Sequence, residues 1–219
     1  MKSIRFTQRQ RSIFLLISIL SFIVLSPLLD NDPTGELVLV ANMYVTLVAA
    51  TLELKERPLL YWSAVPIAVL SVILVTTAHF YPARNILIAS SIVLALFFGL
   101  VCASLFVYLG RKGENTERIY ASVSLYLLIG FTWYALYNVI NTAAPGSFTD
   151  GGIAVPMNAR WSTFLYFSFV TLTTLGYGDV LPVKPAARMF ATLEAAAGIL
   201  YIAITVARLV GSAQSNRAE

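Results

Sequence analysis

The stretch WSTFLYFSFVTLTTLGYGD, residues 161–179, decides the fold. Its first part, from Trp161 to Leu172, is an apolar run of twelve residues, which is too short to cross a hydrocarbon core of about 30 Å but suits a short re-entrant helix. The glycines that flank an aromatic at Gly176 and Gly178 predict that the helix ends before them. Irregular backbone survives at membrane depth only where it is buried in protein or lines water. The stretch is therefore either the lining of a pore or an ordinary loop outside the membrane.

Composition places the whole chain in a membrane. Of its 219 residues, 58% are hydrophobic and 12% are charged, and the mean hydropathy is +0.77. Soluble domains are about 45–50% apolar and about 25% charged, so this chain has more apolar surface than it can bury within itself. The single cysteine, Cys102, excludes an intrachain disulfide, and we interpret it as a small core residue.

Six apolar segments are long enough, or nearly so, to cross a bilayer, and in lipid they must be helices. They lie at residues 13–29, 37–54, 60–80, 86–109, 119–140 and 189–209, and the second is the weakest. The sequence thus predicts an all-α membrane protein with six transmembrane helices. The re-entrant helix and the extended segment lie between the fifth and the sixth.

The distribution of lysine and arginine predicts the orientation. With the N-terminus in the cytoplasm, eleven of the 15 basic residues lie inside and four outside. Both termini are then cytoplasmic, and the Gly-Tyr-Gly segment opens to the exterior. The basic N-terminus leads into an apolar run without a small-residue cleavage site, so we expect a retained first span. Cytoplasmic termini and short loops between the spans suit a bacterial inner membrane, although a protein of another plasma membrane would have the same pattern.

If the stretch lines a pore for a cation, the protein must supply oxygens that replace the hydration shell of the ion. A ring of backbone carbonyls, contributed by several copies of one short segment, can do this. The carbonyls point at one axis when left- and right-handed backbone conformations alternate, and glycine reaches the left-handed ones at little cost. This requirement explains Gly176 and Gly178, while Thr174 can add a hydroxyl oxygen at the inner end.

The run from Val170 to Asp179, VTLTTLGYGD, resembles the potassium-channel signature T-x-x-T-x-G-Y-G-D. The resemblance covers residues 119 to 211, and it implies a tetrameric pore because each chain supplies one filter. It implies a selectivity filter made by Thr174, Leu175, Gly176, Tyr177 and Gly178. The K⁺ ligands would be Thr174, Leu175, Gly176 and Tyr177. The implied supports of the filter are Thr171, Thr173, Tyr166, Phe167 and Asp179.

The chain departs from the family pattern at three places. Leu175 stands where valine or isoleucine is usual, so we expect retained potassium selectivity with different packing behind the filter. Tyr166 and Phe167 replace a tryptophan pair. We predict a hydrogen bond from the Tyr166 hydroxyl to Asp179 and packing of Phe167 on Tyr177, and the alternative for Tyr166 is simple packing beside a solvated Asp179.

The sixth span carries the candidates for gating. Gly198 follows Gly178 by twenty residues, where the family has a gating glycine, and the alternative is close helix packing. Helical spacing places the predicted cavity lining at Ile199, Ile202 and Ala203. Val206 and Val210 continue that face toward the cytoplasmic mouth. One hypothesis is that they form an apolar ring that closes the pore by dewetting, and the alternative is a permanently wide mouth with gating at the filter.

Glu194 is the one acidic residue inside the sixth span. An intramembrane carboxylate is a functional candidate by default. Its helical register turns it toward the re-entrant or the fifth helix. One reading is a hydrogen bond to a neighbouring Ser, Thr or Tyr hydroxyl, and the other is a gating or proton-sensing role.

The first four spans lack the parts of a voltage sensor. The fourth span contains no lysine or arginine, whereas voltage sensing needs several charges that cross the field. We divide the chain into a four-helix domain without gating charges, residues 1–112, and a pore domain, residues 113–219. The four helices then form a collar or an interaction surface. Arg111, Lys112 and Arg118 either contact lipid near the inner leaflet or are solvated loop charges.

The leading hypothesis is a homotetrameric potassium-selective channel that conducts K⁺ passively, with no voltage sensor and no regulatory domain after the sixth span. The alternatives are a non-conducting modulatory subunit and a poorly selective cation channel. A membrane enzyme has no support, because the sequence has one histidine, no Cys-x-x-Cys and no serine-centred motif. We expect membrane lipid and further copies of the chain as partners, with no nucleic acid and no small-molecule substrate. No cofactor is expected, since K⁺ is the permeant ion.

Overall fold

The computed structural model describes residues 7–29, 32–110 and 115–215, without the side chains of residues 33, 115, 116 and 209–215. The described residues form seven α-helices and three short β-strands. The helices are α1 (Gln8–Leu29), α2 (Pro33–Glu53), α3 (Pro58–Phe80), α4 (Arg84–Leu109), α5 (Asn115–Ala143), α6 (Trp161–Leu172) and α7 (Pro185–Ser215). The strands are β1 (Phe148–Asp150), β2 (Ile153–Ala154) and β3 (Val180–Pro182).

Six of these helices, all except α6, are long and apolar enough to cross a membrane, as judged by length and composition within the described residues. This confirms the prediction of a helical integral membrane protein with six spans. The twelve-residue α6 begins and ends where the hydrophobic run of the sequence does, at Trp161 and Leu172. Proline marks the start of α2, α3 and α7 at Pro33, Pro58 and Pro185, because the first turn of a helix needs no backbone donor there.

Two of the first four helices, α1 and α4, pack directly on the fifth. Phe131 of α5 contacts Phe22 of α1 and Phe98 of α4 edge to face, with ring centroids 5.4 and 5.7 Å apart. All three rings are fully buried. The two halves of the chain therefore share one hydrophobic core. The boundary predicted at residue 112, together with Arg111 and Lys112, lies outside the described residues.

Arg118 does not fit either role that the sequence offered for it. It is 9% exposed, and its Nη2 donates a hydrogen bond to the carbonyl of Leu109 at 3.0 Å. A buried guanidinium that satisfies a carbonyl at the end of α4 is neither a solvated loop charge nor a surface contact for lipid. The sequence does not predict this burial of Arg118, because it depends on how the start of α5 lies beside the end of α4.

The loop between α5 and α6 contains two strands of a small antiparallel sheet. The strand order is β2-β1-β3, and Asp150 of β1 pairs with Val180 of β3. Because β3 begins one residue after Asp179, the sheet fixes the outer end of the segment that follows α6. The contacts of α7 with the rest of the subunit lie mainly on α5, α6 and β3, and most of its described side chains are exposed.

Candidate functional site

The backbone after α6 alternates in handedness. Thr174, Gly176 and Gly178 have φ angles of 59°, 59° and 80°, whereas Leu175 and Tyr177 are not in the positive-φ region. The two glycines reach this conformation at little cost. Thr174 is the one non-glycine residue with positive φ among those described, and the left-handed conformation costs such a residue about 1–2 kcal/mol. The sequence predicted the alternation from the glycines but not its start at Thr174.

Backbone amide groups of residues 174–176 donate hydrogen bonds to the end of α6. The backbone N–H groups of Leu175 and Gly176 both donate to the carbonyl of Val170, at 2.9 and 3.3 Å. That of Thr174 donates to the carbonyl of Thr171 at 2.9 Å. Within the described part of the chain, no carbonyl of residues 174–178 accepts a backbone hydrogen bond. Residues 173–179 are exposed in the single subunit, so these carbonyl oxygens are free for another ligand.

A hydrogen bond closes the outer end of the segment. The Tyr166 hydroxyl donates to Asp179 Oδ2 at 2.6 Å, as the sequence predicted, and the Val180 N–H donates to Oδ1 at 2.9 Å. The hydrogen bond from Tyr166 holds the pKa of Asp179 below its usual value, because it stabilises the ionised carboxylate. The rings of Tyr166 and Tyr177 are parallel within 5°, with centroids 6.5 Å apart.

The prediction that Phe167 packs on Tyr177 is wrong within a single subunit. The Phe167 ring contacts Tyr137 of α5 at 4.9 Å and Phe148 of β1 at 5.5 Å, and it is 5% exposed. Phe167 therefore faces the interior of the subunit, while Tyr177 stacks on Tyr166. The two adjacent aromatic residues point to opposite sides because successive positions on a helix are about 100° apart.

The threonines at the end of α6 use their polar atoms locally. The Thr173 hydroxyl donates to the carbonyl of Phe169 at 2.6 Å, and this hydrogen bond satisfies a carbonyl in the last turn of α6. Thr171 supplies the carbonyl that receives the Thr174 amide. That both residues support a filter stays a prediction.

Two of the candidates on α7, Glu194 and Gly198, are buried against other helices of the same subunit. Glu194 is fully buried, and its carboxyl group is hydrogen-bonded to the hydroxyl groups of Tyr137 of α5 and Ser168 of α6. This arrangement matches the hydroxyl partner that the sequence predicted, although nothing in the sequence singles out Tyr137 or Ser168. Gly198 packs against the carbonyl of Leu172, so the packing interpretation of this glycine is confirmed, and its role as a hinge stays a prediction.

The predicted cavity residues lie on the exposed side of α7. Ile199 and Ile202 are 58% and 51% exposed in the single subunit, and Ala203 is also exposed. Val206 is 53% exposed, whereas the side chain of Val210 lies outside the described residues. These residues do not pack inside the subunit, so their side chains are available to line a cavity between several subunits.

Residues 121–214 match the model of a protein family described as "Ion channel". Among curated proteins, the chain is 29% identical over 167 residues to "Voltage-gated potassium channel Kch" of Escherichia coli, a match that covers 76% of this chain and 36% of that protein. It is 36% identical over 77 residues to "Inward rectifier potassium channel Kirbac3.1" of Paramagnetospirillum magnetotacticum, covering 35% of this chain and 22% of the relative.

A third relative is "Two pore potassium channel c" of Oryza sativa subsp. japonica, 37% identical over 86 residues that make up 39% of this chain and 16% of that protein. The chain thus spans well under two thirds of the length of these curated relatives. No solved structure matches the chain significantly.

Proposed function

We propose that this chain, whose residues 121–214 match a family described as "Ion channel", is a subunit of a potassium-selective channel that conducts K⁺ passively across the membrane. The observation that carries the proposal is the alternating backbone of residues 174–178, whose carbonyl oxygens accept no backbone hydrogen bond within the described residues. A ring of such carbonyls is what replaces the water around K⁺.

The filter in this proposal consists of five consecutive residues. Their backbone carbonyls and the Thr174 hydroxyl coordinate the dehydrated ion, and the alternation of φ turns successive carbonyls toward one axis. The filter residues are Thr174, Leu175, Gly176, Tyr177 and Gly178. The carboxyl end of α6 adds to this, since its last carbonyls carry partial negative charge that favours a cation beneath the filter.

One subunit cannot complete this site alone. Tyr177 is 67% exposed and Leu175 is 56% exposed in the single chain, and most of α7 is uncovered. Four copies around one axis would place four filter segments face to face and would cover these surfaces. We therefore propose a homotetramer, in which α6 is a re-entrant pore helix and α5 and α7 are the outer and inner helices of each subunit.

The supporting residues act around this filter. Asp179, Tyr166 and Thr173 hold its two ends through the hydrogen bonds described above, and Thr171 fixes its start. Below the filter, Ile199, Ile202 and Ala203 line a cavity. Val206 and Val210 narrow its mouth, where an apolar constriction gates by dewetting, with gating at the filter as the alternative.

We propose that residues 1–112 form a collar around a pore domain of residues 113–219. The packing of α1 and α4 on α5 supports a collar that is fastened to the pore. The excess of lysine and arginine on one side supports cytoplasmic termini and insertion in a bacterial inner membrane or another plasma membrane. Membrane lipid covers the exposed apolar faces of α1 to α4.

Reconstitution tests the proposed function directly. Purified protein in liposomes should pass K⁺ down its gradient and pass Na⁺ much more slowly, while empty liposomes pass neither. Equal K⁺ and Na⁺ fluxes would support a poorly selective cation channel, to which the unusual Leu175 would contribute. Absence of flux from correctly inserted protein would reject the proposal and favour a non-conducting subunit. Chemical cross-linking of the purified protein should give four bands, up to a tetramer.

A further inference from the structure

The inner helix α7 is held to its own subunit along one narrow face. Among the described side chains of α7, only those of Ala187 and Glu194 and the position of Gly198 are buried. Their spacings of seven and four residues place them on one side of the helix. The central position of this buried face is therefore a carboxyl group that is fully shielded from solvent.

Two hydroxyl groups contact this carboxyl group, and one of them also contacts a backbone carbonyl. The Tyr137 hydroxyl of α5 donates a hydrogen bond to Glu194 Oε2. The Ser168 hydroxyl oxygen of α6 lies 2.5 Å from Glu194 Oε1. The same Ser168 oxygen lies 2.8 Å from the backbone carbonyl oxygen of Gly130, which belongs to α5.

The count of protons decides the state of the carboxyl group. A serine hydroxyl carries one proton, and a backbone carbonyl can only accept. If Ser168 donates to Gly130, the short contact between Ser168 and Glu194 needs a proton from the carboxyl group. If Ser168 donates to an ionised Glu194 instead, its lone pairs face the Gly130 carbonyl at 2.8 Å without a proton between them. A protonated Glu194 supplies each of the three contacts with a proton of its own.

The surroundings of Glu194 also favour the neutral form. Within the described residues, neither of the salt bridges involves Glu194, since they join Arg11 to Glu56 and His79 to Glu36. A buried carboxylate without a cationic partner is unfavourable in a membrane.

The ionisable groups around Glu194 supply no compensating charge. From α5 the facing groups are Tyr126 and Tyr137. On α6, Tyr166 is bonded to Asp179 at the outer end, and β3 contains no ionisable residue. On α7 itself, Arg188 donates to the carbonyl of Pro182 and Tyr201 donates to that of Ser122.

We propose that Glu194 is a neutral carboxylic acid that donates its proton to Ser168, and that this proton fastens α7 to α5 and α6 behind the filter. Glu194 is then a positioning residue and does not touch the permeant ion. In this arrangement Glu194 donates to the Ser168 hydroxyl, which donates to the carbonyl of Gly130. The Tyr137 hydroxyl donates to the other oxygen of the Glu194 carboxyl group. The effect on conduction rests on the proposed channel function, whereas the protonation state does not.

Infrared spectroscopy of the purified protein tests the protonation state without any flux measurement. At neutral pH, E194Q should lose a carbonyl-stretch band of a protonated carboxylic acid that the unmodified protein has. E36Q is the matched control, because Glu36 is 40% exposed and should contribute no such band. S168A and Y137F should each shift the band, since each removes one hydrogen-bond partner. Loss of a carboxylate band in E194Q, with no loss of an acid band, would overturn the proposal.

Flux through reconstituted protein tests the positioning role. A glutamine at 194 can donate to Ser168 and accept from Tyr137, so E194Q should keep most of the K⁺ flux, whereas E194A should lose about tenfold because buried partners are left unpaired. At alkaline pH the flux of the unmodified protein should fall, and that of E194Q should not. Equal losses in E194Q and E194A would overturn the proposal. If E194A fails to assemble, the alkaline comparison with E194Q still decides. If no variant conducts at all, the channel function fails and the infrared result stands by itself.

Discussion

The α-carbon of Gly198 lies so close to the last turn of α6 that a β-carbon at position 198 would overlap the carbonyl oxygen of Leu172 and lie 3.0 Å from its carbonyl carbon. Leu172 ends the helix that precedes the candidate filter. The helix α7 thus touches the backbone that leads into the candidate filter.

We predict that Gly198→Ala destabilises the subunit. The added methyl group meets backbone atoms that cannot rotate away, and overpacking of this kind costs about 1–3 kcal/mol. The melting temperature of the purified protein should fall, and the K⁺ flux in liposomes should fall with it. The matched control is Gly99→Ala in α4, where a β-carbon would meet nothing within 4 Å. There, the gain in helix propensity is about 1 kcal/mol, so the control should be neutral or more stable. Equal stability of both variants would contradict the close approach.

The sequence predicts the helices well because membrane spans leave a strong compositional signal, a long run of apolar residues. The boundaries of α6 followed from the apolar run between Trp161 and Leu172, and the hydrogen bond between Tyr166 and Asp179 followed from the resemblance to the potassium-channel family. The partners of Glu194 did not, because Tyr137 is 57 positions away in the chain and a single hydroxyl in an apolar helix carries no sequence signal. The burial of Arg118 was missed for a similar reason, since it depends on how α4 and α5 meet. The packing of Phe167 on Tyr177 of the same subunit was predicted wrongly, because Phe167 faces Tyr137 and Phe148 instead.

We predict that Gly178→Ala abolishes selective K⁺ flux while Gly146→Ala does not. Both glycines have positive φ, 80° and 76°, and a β-carbon at either position would meet no atom within 4 Å, so alanine strains the backbone similarly at both sites. The strain costs about 1–2 kcal/mol in each case. Only position 178 lies in the candidate filter, so the ratio of K⁺ to Na⁺ flux should collapse there alone. Equal loss at both sites would assign the effect to general backbone strain.

We predict that Tyr166→Phe makes the filter more sensitive to acid on the Gly-Tyr-Gly side. In the folded protein, the Tyr166 hydroxyl lowers the pKa of Asp179, so the stabilising contact is present above the usual pKa of the carboxyl group and is lost as the pH falls through the lowered value. Without the hydroxyl, that pKa moves back up, and Asp179 becomes protonated at a higher pH. The pH at which K⁺ flux is halved should therefore rise in Tyr166→Phe.

A control separates this effect from simple loss of packing. Tyr177 stacks on Tyr166 with parallel rings, and phenylalanine at 166 keeps that contact. In Asp179→Asn, which has no acid to protonate, the further change of Tyr166 to phenylalanine should not move the pH dependence. A shift of the same size in that background would show that Asp179 is not the titrating group.

We predict that the channel has a shallow dependence on voltage, and that Arg84→Gln leaves the slope unchanged. Moving one elementary charge through the whole field is worth about 2.3 kcal/mol per 100 mV, so steep voltage dependence requires several charges in each subunit. Arg84 is the one basic residue of α4, and it stands at the first position of the helix. Its Nη2 donates to the carbonyl of Ala143 at the end of α5, at 2.6 Å.

The packing of α4 leads to the same expectation. Phe98 of α4 is fully buried against Phe131 of α5, so α4 cannot slide past the pore helices without breaking the shared core. Patch recordings from giant liposomes over a wide voltage range would measure the slope of conductance against voltage. A steep curve in the unmodified protein that flattens in Arg84→Gln would contradict the prediction, because it would make Arg84 a charge that crosses the field. An unchanged shallow curve in both proteins would agree with the prediction that no charge of α4 crosses the field.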